Sequence, residues 1–372
     1  MRIVVSGGGT GGHIMPALAT LESLMRLCPD SESLYIGAKT GMESELVPHL
    51  GVPYQGIATD KLRKTLSLST PKVLFSVWQG YREAITYLRA FNADIVIGTG
   101  GYVAAAAVMA GVKLGLPTLI HEGNAVAGRT NLWLSKRATR IATTFEEVVH
   151  EFPREKTVVT GLPLRKEIVA PNSITPAQAR LAFNGLFPER FTLLVTGGSQ
   201  GAQRLNSVVL EAVPALLSAG IQVLHLTGRK NYEQVSVVAK ANGLLERGGY
   251  ALLPFCDEKT MPLAWRAASA VLCRGGVSTS AEAWANGVPS ILVPLPTAYA
   301  DHQTANARIV ERHGAGLLRP ELGLTAEQLA QDVLRFQTDT AYYARLQQGV
   351  RALSSPDAAD RVALEALRLT RR

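Results

Sequence analysis

Two glycine-rich turns, about 190 residues apart, constrain the fold of this 372-residue chain more than any other feature. The first spans residues 7–12 and follows the apolar run 3–5; the second spans residues 197–202 and follows the apolar run 193–195. A segment with helical periodicity comes after each turn. Glycines between a buried strand and a helix N-terminus let a phosphate approach free backbone N–H groups. The pair therefore predicts two similar halves whose phosphate-binding loops face each other across a central cleft.

Apolar runs alternate with amphipathic segments along the whole chain. Strands separated by helices form parallel sheets that are covered on both faces. The predicted fold class is therefore α/β, with two Rossmann-like, doubly wound parallel-sheet domains. The predicted strands lie at residues 3–5, 34–36, 95–97, 118–120, 140–142, 193–195, 223–226, 251–253, 270–272 and 290–293.

Glycine and proline within residues 161–165 predict the joint between the two halves. The first domain is expected to cover residues 1–160 and the second residues 164–350. An amphipathic helix at about residues 352–372 is expected to pack back on the first domain. Between these segments, a loop over residues 171–176 is expected to lead into a helix that is capped by Thr175.

The net charge of +8, from 38 basic and 30 acidic residues, favours anionic partners such as phosphates or an anionic membrane surface. Three widely separated cysteines argue against a disulfide framework and favour a reducing compartment. The apolar strand follows the first residues directly, so a signal peptide is not expected. Glycine, lysine and proline interrupt the longest apolar run, residues 103–120, which predicts a buried helix and strand rather than a membrane span.

The first glycine turn fits a dinucleotide-binding fingerprint, but the second strand ends without the acidic residue that would hold a ribose. NAD or FAD is therefore not expected. His13 lies in the first turn of the following helix, where the dipole disfavours an imidazolium ion. It is a candidate proton acceptor, and a role in capping or orienting the loop is the alternative reading.

Polar side chains also follow two other strands of the first half. Tyr102 comes shortly after residues 95–97, and His121, Glu122 and Asn124 come after residues 118–120. Because parallel strands end at one edge of a sheet, these side chains are expected to line a site near His13. The alternative is that His121 and Glu122 bond each other or the nearby backbone.

In the second half, Ser199 and Gln200 lie where the glycine turn meets its helix and would suit a diphosphate. A further glycine turn follows the strand at residues 270–272. Thr279 in the next helix could reach a phosphate, and Glu282 could accept two ribose hydroxyls, or could simply favour the helix dipole. Amides such as Gln303 suit sugar hydroxyls. No spacing typical of a metal site is present, so Arg165 and helix N-termini would supply the positive charge.

Taken together, these motifs resemble the family of UDP-N-acetylglucosamine–lipid I N-acetylglucosaminyltransferases (the MurG family), which form lipid II in bacterial peptidoglycan synthesis. The resemblance covers nearly the whole chain. It implies a GT-B architecture and an inverting transfer of GlcNAc from UDP-GlcNAc to the C4 hydroxyl of the MurNAc in lipid I, without a cofactor or a bound catalytic metal. It is carried by the motifs at residues 8–13, 100–102, 121–128, 197–202 and 301–306.

The resemblance also implies roles for individual residues. His13 and Glu122 are expected to be catalytic, with His13 the first candidate for the base and Glu122 and His121 its rivals. Tyr102 and His121 are expected to contact the acceptor. Departures from the family pattern occur at Leu162, Gly123 and Gln203. The expected donor-binding residues are Thr10, Gly11, Gly12, Asn124, Arg165, Ser199, Cys256, Val277, Ser278, Thr279, Ser280, Ala281, Glu282 and Gln303.

Residues 61–89 combine six basic residues with an apolar and aromatic stretch that contains Phe75 and Trp78. Such a segment suits an anionic headgroup surface, and the alternative is a helix whose apolar side faces the core. A peripheral location at the cytoplasmic face of the bacterial plasma membrane is expected, and other cell-wall synthesis proteins are candidate partners. Nucleic-acid binding is not expected, because basic and aromatic residues are interleaved nowhere else.

Two other functions compete with the transferase. A UDP-GlcNAc 2-epimerase uses a similar two-domain fold but has no need of a lipid-facing surface. A non-catalytic nucleotide-sugar-binding or membrane-binding module would have no need of His13 or Glu122.

Overall fold

A computed structural model describes residues 1–59, 70–169, 173–198 and 200–370, with the backbone alone for residues 70–74. The chain divides into two compact units. Unit 1 comprises Met1–Arg165 and Ser355–Arg372, and unit 2 comprises Lys166–Ser354. Each unit contains one parallel sheet with helices packed against it, which confirms the predicted fold class.

The described residues of unit 1 form a seven-stranded parallel sheet in the order β3-β2-β1-β4-β5-β6-β7. Strand order reverses between β1 and β4, and ligands of such sheets bind beyond the carboxyl ends of strands at a reversal of this kind. The strands are β1 (Arg2–Ser6), β2 (Glu32–Ala38), β3 (Tyr54–Ile57), β4 (Ile95–Gly98), β5 (Thr118–Glu122), β6 (Arg140–Thr143) and β7 (Thr157–Val159). The helices before the joint are α1 (Gly11–Leu27), α2 (Met42–His49), α3 (Thr70–Phe91), α4 (Gly101–Lys113) and α5 (Arg129–Ser135).

The described residues of unit 2 repeat this plan with six parallel strands in the order β10-β9-β8-β11-β12-β13. Its reversal of strand order lies between β8 and β11. The strands are β8 (Thr192–Thr196), β9 (Gln222–Leu226), β10 (Tyr250–Leu253), β11 (Ala270–Cys273), β12 (Ser290–Leu292) and β13 (Gly316–Leu318). The helices are α6 (Pro176–Leu181), α7 (Gln203–Ser218), α8 (Tyr232–Ala241), α9 (Met261–Ala267), α10 (Val277–Ala285), α11 (His302–Arg312), α12 (Ala326–Thr338) and α13 (Thr340–Leu353).

The central strands of both sheets are apolar and buried because helices cover both faces. Helix α6 begins where the sequence predicted, since the Thr175 hydroxyl accepts a hydrogen bond from the Gln178 N–H in a capping box. The final helix, α14 (Ala358–Thr370), lies in unit 1 and packs along α1.

Helix α14 contributes directly to the core of unit 1. Val362, Ala363 and Ala366 are fully buried in the same apolar cluster as Leu21 and Leu24 of α1. A polar contact also joins this helix to the sheet, because Glu365 accepts a 2.7 Å hydrogen bond from the Arg140 guanidinium of β6. Unit 1 is therefore completed by a segment that follows unit 2 in the sequence.

Candidate active site

The first glycine turn, residues 7–12, follows β1 and is held by contacts from three directions. The Tyr35 hydroxyl donates to the Gly7 carbonyl at 2.6 Å, and His13 Nδ1 lies 3.0 Å from the Gly8 carbonyl. The Gly9 N–H points to the Glu43 carboxylate, at 3.2 and 3.3 Å from its two oxygens. The turn therefore has a fixed shape before any ligand binds.

The partner of His13 Nδ1 determines what the other ring nitrogen can do. A carbonyl oxygen can only accept, so Nδ1 carries the proton and, in the neutral ring, Nε2 is left as an acceptor. The Thr99 hydroxyl donates to the His13 carbonyl at 2.6 Å and fixes the first turn of α1. A Cβ on Gly100 would lie 2.9 Å from Nε2, so the glycine leaves room for the imidazole. The loops after β1 and β4 thus present a half-buried imidazole that can take a proton.

Glu43 is a site residue that the sequence reasoning missed. It lies in the first turn of α2, is 2% exposed, and brings a carboxylate against the backbone of the first glycine turn. A Cβ on Gly8 would lie 2.3 Å from its Oε1, which explains why this position has no side chain. The available signal was a glycine, Gly41, shortly before an acid, Glu43, at the start of a helix. Nothing in the sequence linked Glu43 to a turn more than 30 residues earlier.

The remaining unit 1 residues near this turn differ in exposure. Tyr102, in the first turn of α4, is 44% exposed. Thr10, Gly11 and Gly12 form the start of α1, and no side chain caps that helix. Asn124 is half-buried beyond the end of β5. These residues can therefore meet a ligand at the carboxyl edge of the sheet.

The structure corrects the expected placement of His121. The residue lies inside β5, which runs to Glu122, and is 1% exposed instead of following the strand end. Its Nε2 donates to the Gly161 carbonyl at 3.0 Å, and burial lowers the pKa of His121 to about 4. A buried, neutral imidazole that is bonded to the backbone supports the strand, and the expected contact of His121 with the acceptor stays a prediction.

Glu122 is likewise inside β5 and 3% exposed, against the expectation of a residue past the strand end. Its Oε1 accepts from the Asn124 N–H at 3.0 Å, and its Oε2 accepts from the Gly128 N–H and Asn131 Nδ2, both at 2.9 Å. A carboxylate with this many donors organises the loop that follows β5. Asn131, which also donates to the His121 carbonyl, is a second residue that the sequence reasoning missed.

Arg165, the last residue before unit 2, already has a carboxylate partner in unit 1. Its Nε lies 3.7 Å from Glu22 Oε2 on α1, and the side chain is mostly buried. The expected contact with a diphosphate stays a prediction, and it would require Arg165 to share or leave this ion pair.

The second glycine turn, residues 197–202, follows β8 and is stabilised by neutral partners. The Gly198 N–H donates to the Thr196 hydroxyl at 3.2 Å, and the Gly201 N–H donates to the Gly198 carbonyl at 2.9 Å. Gly198 and Gly201 have φ angles of 78° and 74°, which favour glycine. Ser199, a predicted diphosphate contact, lies outside the described residues. Helix α7 then begins without a side-chain cap, so its first N–H groups can face a ligand.

The start of α10 is the other predicted phosphate site, beyond β11. Gly276 precedes the helix and provides no side-chain cap. The Ser278 and Ser280 hydroxyl oxygens are buried with no hydrogen-bond partner in the described structure, whereas Thr279 is half-buried. Val277 and Ala281 are buried among the apolar residues of unit 2. Unsatisfied hydroxyls at a helix start are expected where a polar ligand completes the site.

Glu282 lies one turn into α10 and has an unusual environment for a carboxylate. Its Oε2 accepts a 3.2 Å hydrogen bond from the Trp265 indole N–H. Burial raises the pKa of Glu282 to about 7, with a smaller opposing effect from the indole. A carboxylate has about four acceptor positions, so Glu282 can also accept from two hydroxyl donors, as a ribose would provide.

Gln303 and Cys256 are the last of the residues that are predicted to bind the sugar donor. Gln303 Oε1 accepts from the Leu295 N–H at 2.8 Å, which leaves its amide N–H groups for a ligand. Immediately before α11, Ala300 and Asp301 adopt left-handed φ angles of 49° and 52°, a strained conformation that is common at functional sites. Cys256 is buried, which raises the pKa of its thiol to about 11 and disfavours a role as a nucleophile, and its expected contact with the donor stays a prediction.

Helix α3 exposes two aromatic side chains on the surface of unit 1. Phe75 is 61% exposed and Trp78 is 54% exposed, with ring centroids 5.9 Å apart. The Arg82 guanidinium lies 5.4 Å from the Trp78 ring. The same helix buries Ala84 and Leu88 in the core, so the exposed aromatics are not its core-facing side. Lys61, Arg63 and Lys64 of the predicted basic segment lie outside the described residues.

Two features of the described part of the chain bear on metals and membranes. No group of three or more His, Cys, Asp or Glu side chains in it is arranged to hold a metal ion. None of its helices has both the length and the apolar character that crossing a bilayer requires.

The chain resembles known proteins over its full length. Residues 3–143 match the glycosyltransferase family 28 N-terminal domain, and residues 192–362 match the C-terminal domain of the same family. A Bacillus cereus protein, UDP-N-acetylglucosamine–N-acetylmuramyl-(pentapeptide) pyrophosphoryl-undecaprenol N-acetylglucosamine transferase 1, is 37% identical over 362 residues, which is 97% of each chain.

Two solved structures have a similar fold. The crystal structure of Acinetobacter baumannii MurG has a TM-score of 0.75 at 28% identity and covers 99% of each chain. The calicheamicin glycosyltransferase CalG4 has a TM-score of 0.71 at 16% identity, covering 100% of this chain and 98% of its own. The second similarity concerns the fold alone.

Proposed function

The chain belongs to the family of UDP-N-acetylglucosamine–N-acetylmuramyl-(pentapeptide) pyrophosphoryl-undecaprenol N-acetylglucosamine transferases, and we propose that it forms lipid II with the loops described above. It is a UDP-GlcNAc-dependent N-acetylglucosaminyltransferase that transfers GlcNAc to lipid I in peptidoglycan synthesis. The observation that carries this conclusion is the 37% identity over 97% of the chain to a relative of that name. The roles of individual residues are our proposal.

We propose that unit 2 binds the donor. The second glycine turn and the start of α10 would hold the diphosphate through backbone N–H groups and the Ser278, Thr279 and Ser280 hydroxyls. Glu282 would accept the ribose hydroxyls, and Gln303 would donate to the GlcNAc hydroxyls. Two observations support this assignment: the hydroxyls of Ser278 and Ser280 have no hydrogen-bond partner among the described residues, and the Glu282 carboxylate is bonded to one indole.

We propose that His13 is the general base. The C4 hydroxyl of MurNAc attacks C1 of GlcNAc, the C1–O bond to UDP breaks, and the α-linked donor gives a β-1,4 product. The hydroxyl proton passes to His13 Nε2, and the electron pair of the broken bond leaves with UDP. The hydrogen bond from Nδ1 to the Gly8 carbonyl supports this role because it leaves Nε2 unprotonated in the neutral ring. Helix N-termini in unit 2 would stabilise the charge that grows on the diphosphate.

Other unit 1 residues would position the acceptor rather than react with it. Tyr102 is exposed and can contact the acceptor, and Asn124 can approach the sugar. We propose that Glu122 and His121 act indirectly. They would hold the loop after β5 in the conformation that presents Asn124 to the ligand. The 3.0 Å contact between the Asn124 N–H and Glu122 Oε1 supports this role.

We also propose that the Phe75–Trp78 surface of α3 contacts an anionic membrane. The lipid I acceptor is linked to undecaprenol, so the enzyme has to reach a bilayer surface. Exposed aromatics beside an arginine suit the headgroup region. The cytoplasmic face of the bacterial plasma membrane is the proposed location, and association with other cell-wall synthesis proteins stays a prediction.

The experiment that tests the function combines purified protein, UDP-GlcNAc and a short-chain lipid I analogue, with UDP release as the measurement. Release should depend on the acceptor, and a 4-deoxy-MurNAc analogue is the matched control because it lacks only the attacking hydroxyl. Release without an acceptor would contradict the proposal. Formation of a ManNAc product from the donor alone would instead identify a 2-epimerase, and UDP-GlcNAc binding with no turnover would identify a non-catalytic module.

A further inference from the structure

A chain of buried polar groups crosses the interior of unit 2 and has no part in the function proposed above. At its centre is His225 of β9, which is fully buried. Its Nδ1 lies 3.0 Å from the Tyr250 hydroxyl of β10, and its Nε2 lies 3.0 Å from Asn206 Oδ1 of α7. Three elements of the unit are thus joined by one imidazole.

The direction of each hydrogen bond in this series of buried groups follows from the bond between Asn206 and Thr227. Asn206 Nδ2 donates to the Thr227 carbonyl at 3.0 Å, so Asn206 Oδ1 is the oxygen and must accept. His225 Nε2 therefore carries the proton, and Nδ1 accepts from the Tyr250 hydroxyl. Donation runs in one direction from Tyr250 through His225 and Asn206 to the Thr227 carbonyl.

That carbonyl lies directly against the second glycine turn. A Cβ on Gly201 would lie 2.2 Å from the Thr227 oxygen, and a Cβ on Gly228 would lie 2.4 Å from the nitrogen and Cα of Gly201. Asn231 Nδ2 donates to the same carbonyl at 3.3 Å. The two loops are therefore in backbone contact, and a shift of the Thr227 carbonyl would move the turn.

We propose that His225 is a positioning residue for the diphosphate of UDP-GlcNAc, because it fixes the Thr227–Gly228 backbone against which the second glycine turn is packed. The inference rests on the proposed function of unit 2 as the donor-binding unit. His225 touches no reacting atom. It acts through Asn206 and Thr227 on the turn whose N–H groups would meet the phosphates.

The chemistry of the position supports a role beyond filling space. Burial lowers the pKa of His225 to about 3, so the ring is neutral at the pH of the cytoplasm. An apolar side chain would fill the same volume without the cost of removing an imidazole from water. A satisfied buried network instead fixes the geometry of its members, and here the last member borders the turn.

The test compares His225→Leu with Gln222→Leu, a matched control in the same strand. Gln222 is also fully buried and polar, but its amide bonds Phe187 and Thr192 at the other end of β9. Affinity for UDP is measured by calorimetry, and affinity for uridine, which lacks the diphosphate, by ligand-observed NMR. We expect His225→Leu to weaken UDP binding roughly 3–10-fold while uridine binding is unchanged, and Gln222→Leu to leave the ratio of the two affinities as in the wild type.

Two further variants sharpen the result. His225→Gln retains an N–H that can reach Asn206 Oδ1, so it should recover much of the lost UDP affinity. Tyr250→Phe removes a single hydroxyl and should weaken UDP binding by about 2–4-fold. If His225→Leu does not fold, Tyr250→Phe alone decides the question.

The inference is overturned if His225→Leu and Tyr250→Phe bind UDP as tightly as the wild type, or if they weaken UDP and uridine equally. Failure of the wild-type protein to bind UDP would instead overturn the proposed function itself. The two failures are distinguishable because the wild-type titration comes first.

Discussion

The first and second glycine turns share a sequence signature, but different chemistry supports them. The first is held by a buried carboxylate, a tyrosine hydroxyl and the imidazole of His13. The second is held by its own backbone, a threonine hydroxyl and the close approach of Gly228. A carboxylate under a turn disfavours a second anion at the same N–H. The second turn has only neutral partners for its Gly198 and Gly201 N–H groups, and helix α7 after it begins without a side-chain cap on its first N–H groups. This difference is consistent with the proposal that the first turn presents a base and the second binds a phosphate.

Replacing His13 with alanine gives the sharpest test of this difference. We expect kcat to fall by about 10²–10⁴-fold because the proton acceptor is lost. UDP affinity should change little, because the His13 side chain is bonded to the Gly8 carbonyl and is proposed to act on the acceptor hydroxyl. Acceptor-dependent UDP release and a UDP titration measure the two quantities. A variant that loses UDP affinity and keeps its turnover would reverse the assignment of the two turns.

Gly228→Ala tests the backbone contact that supports the second turn. Gly228 has a φ angle of 83°, and a Cβ would collide with Gly201. We expect UDP affinity to fall by roughly 10–100-fold, from the strain and overpacking together.

Gly220→Ala is the control for this variant, because Gly220 has a φ angle of 76° but no atom within 4 Å of the added Cβ. It carries the same backbone strain without the collision. Equal losses of UDP affinity in the two variants would show that strain alone, and not contact with the turn, causes the effect.

The Phe75–Trp78 surface of α3, which we propose contacts a membrane, provides another contrast between the units. Replacing Phe75 and Trp78 together with serine should lower binding to anionic vesicles by roughly 10-fold, because exposed apolar area is lost. Phe187 of unit 2 is the matched control: it is 41% exposed and lies 4.1 Å from an arginine guanidinium, that of Arg190. A co-sedimentation assay in which Phe187→Ser loses as much binding as the double variant would remove the special role of α3.

Glu282→Gln should have the smallest effect, a loss of UDP affinity of about 3–10-fold above pH 7. The ionised carboxylate is the better acceptor for ribose hydroxyls, and its pKa is about 7 without ligand. Wild-type affinity should therefore fall as the pH drops through 7, and the affinity of the variant should be much less dependent on pH. A pH series of calorimetric titrations checks this, and equal pH profiles for the two proteins would count against the ribose assignment.

The same substitution has a consequence for stability. The pKa of Glu282 in the folded protein lies above its usual value of 4.5, so the group favours folding at low pH and this contribution is lost as the pH rises from 4.5 to 7. Glu282→Gln should therefore raise the free energy of unfolding of the ligand-free protein at pH 8 by ~1–3 kcal/mol and change it little at pH 4.5. Thermal melts at both pH values measure this difference.

The sequence predicted the fold class because the central strands are continuous apolar runs between helices. It missed β3, β7 and β13, which all lie at sheet edges. Their residues are half-buried or alternate with exposed positions, so they lack the continuous apolar run on which the prediction relied.

At the candidate site, the sequence predicted the positions of the glycine turns because several of their positions require glycine. Gly9, Gly198 and Gly201 have positive φ angles, and a Cβ on Gly7 or Gly8 would collide with neighbouring atoms. The sequence placed His121 and Glu122 outside β5 because polar residues usually end a buried strand. Here they are buried because Gly161 and Asn131 provide partners from other parts of the chain. Glu43 was missed for the same reason: its contact with Gly9 depends on tertiary structure, which local spacing does not encode.

The position of α14 has a consequence for protein synthesis. The apolar side of α1 is covered by Val362, Ala363 and Ala366, which a ribosome adds only after all of unit 2 has been made. Throughout translation of residues 166–354, unit 1 lacks part of its interior, and α1 is the helix whose first turn carries His13. A nascent chain that stalls before α14 would therefore present His13, the proposed base, on a helix whose apolar side is still partly uncovered.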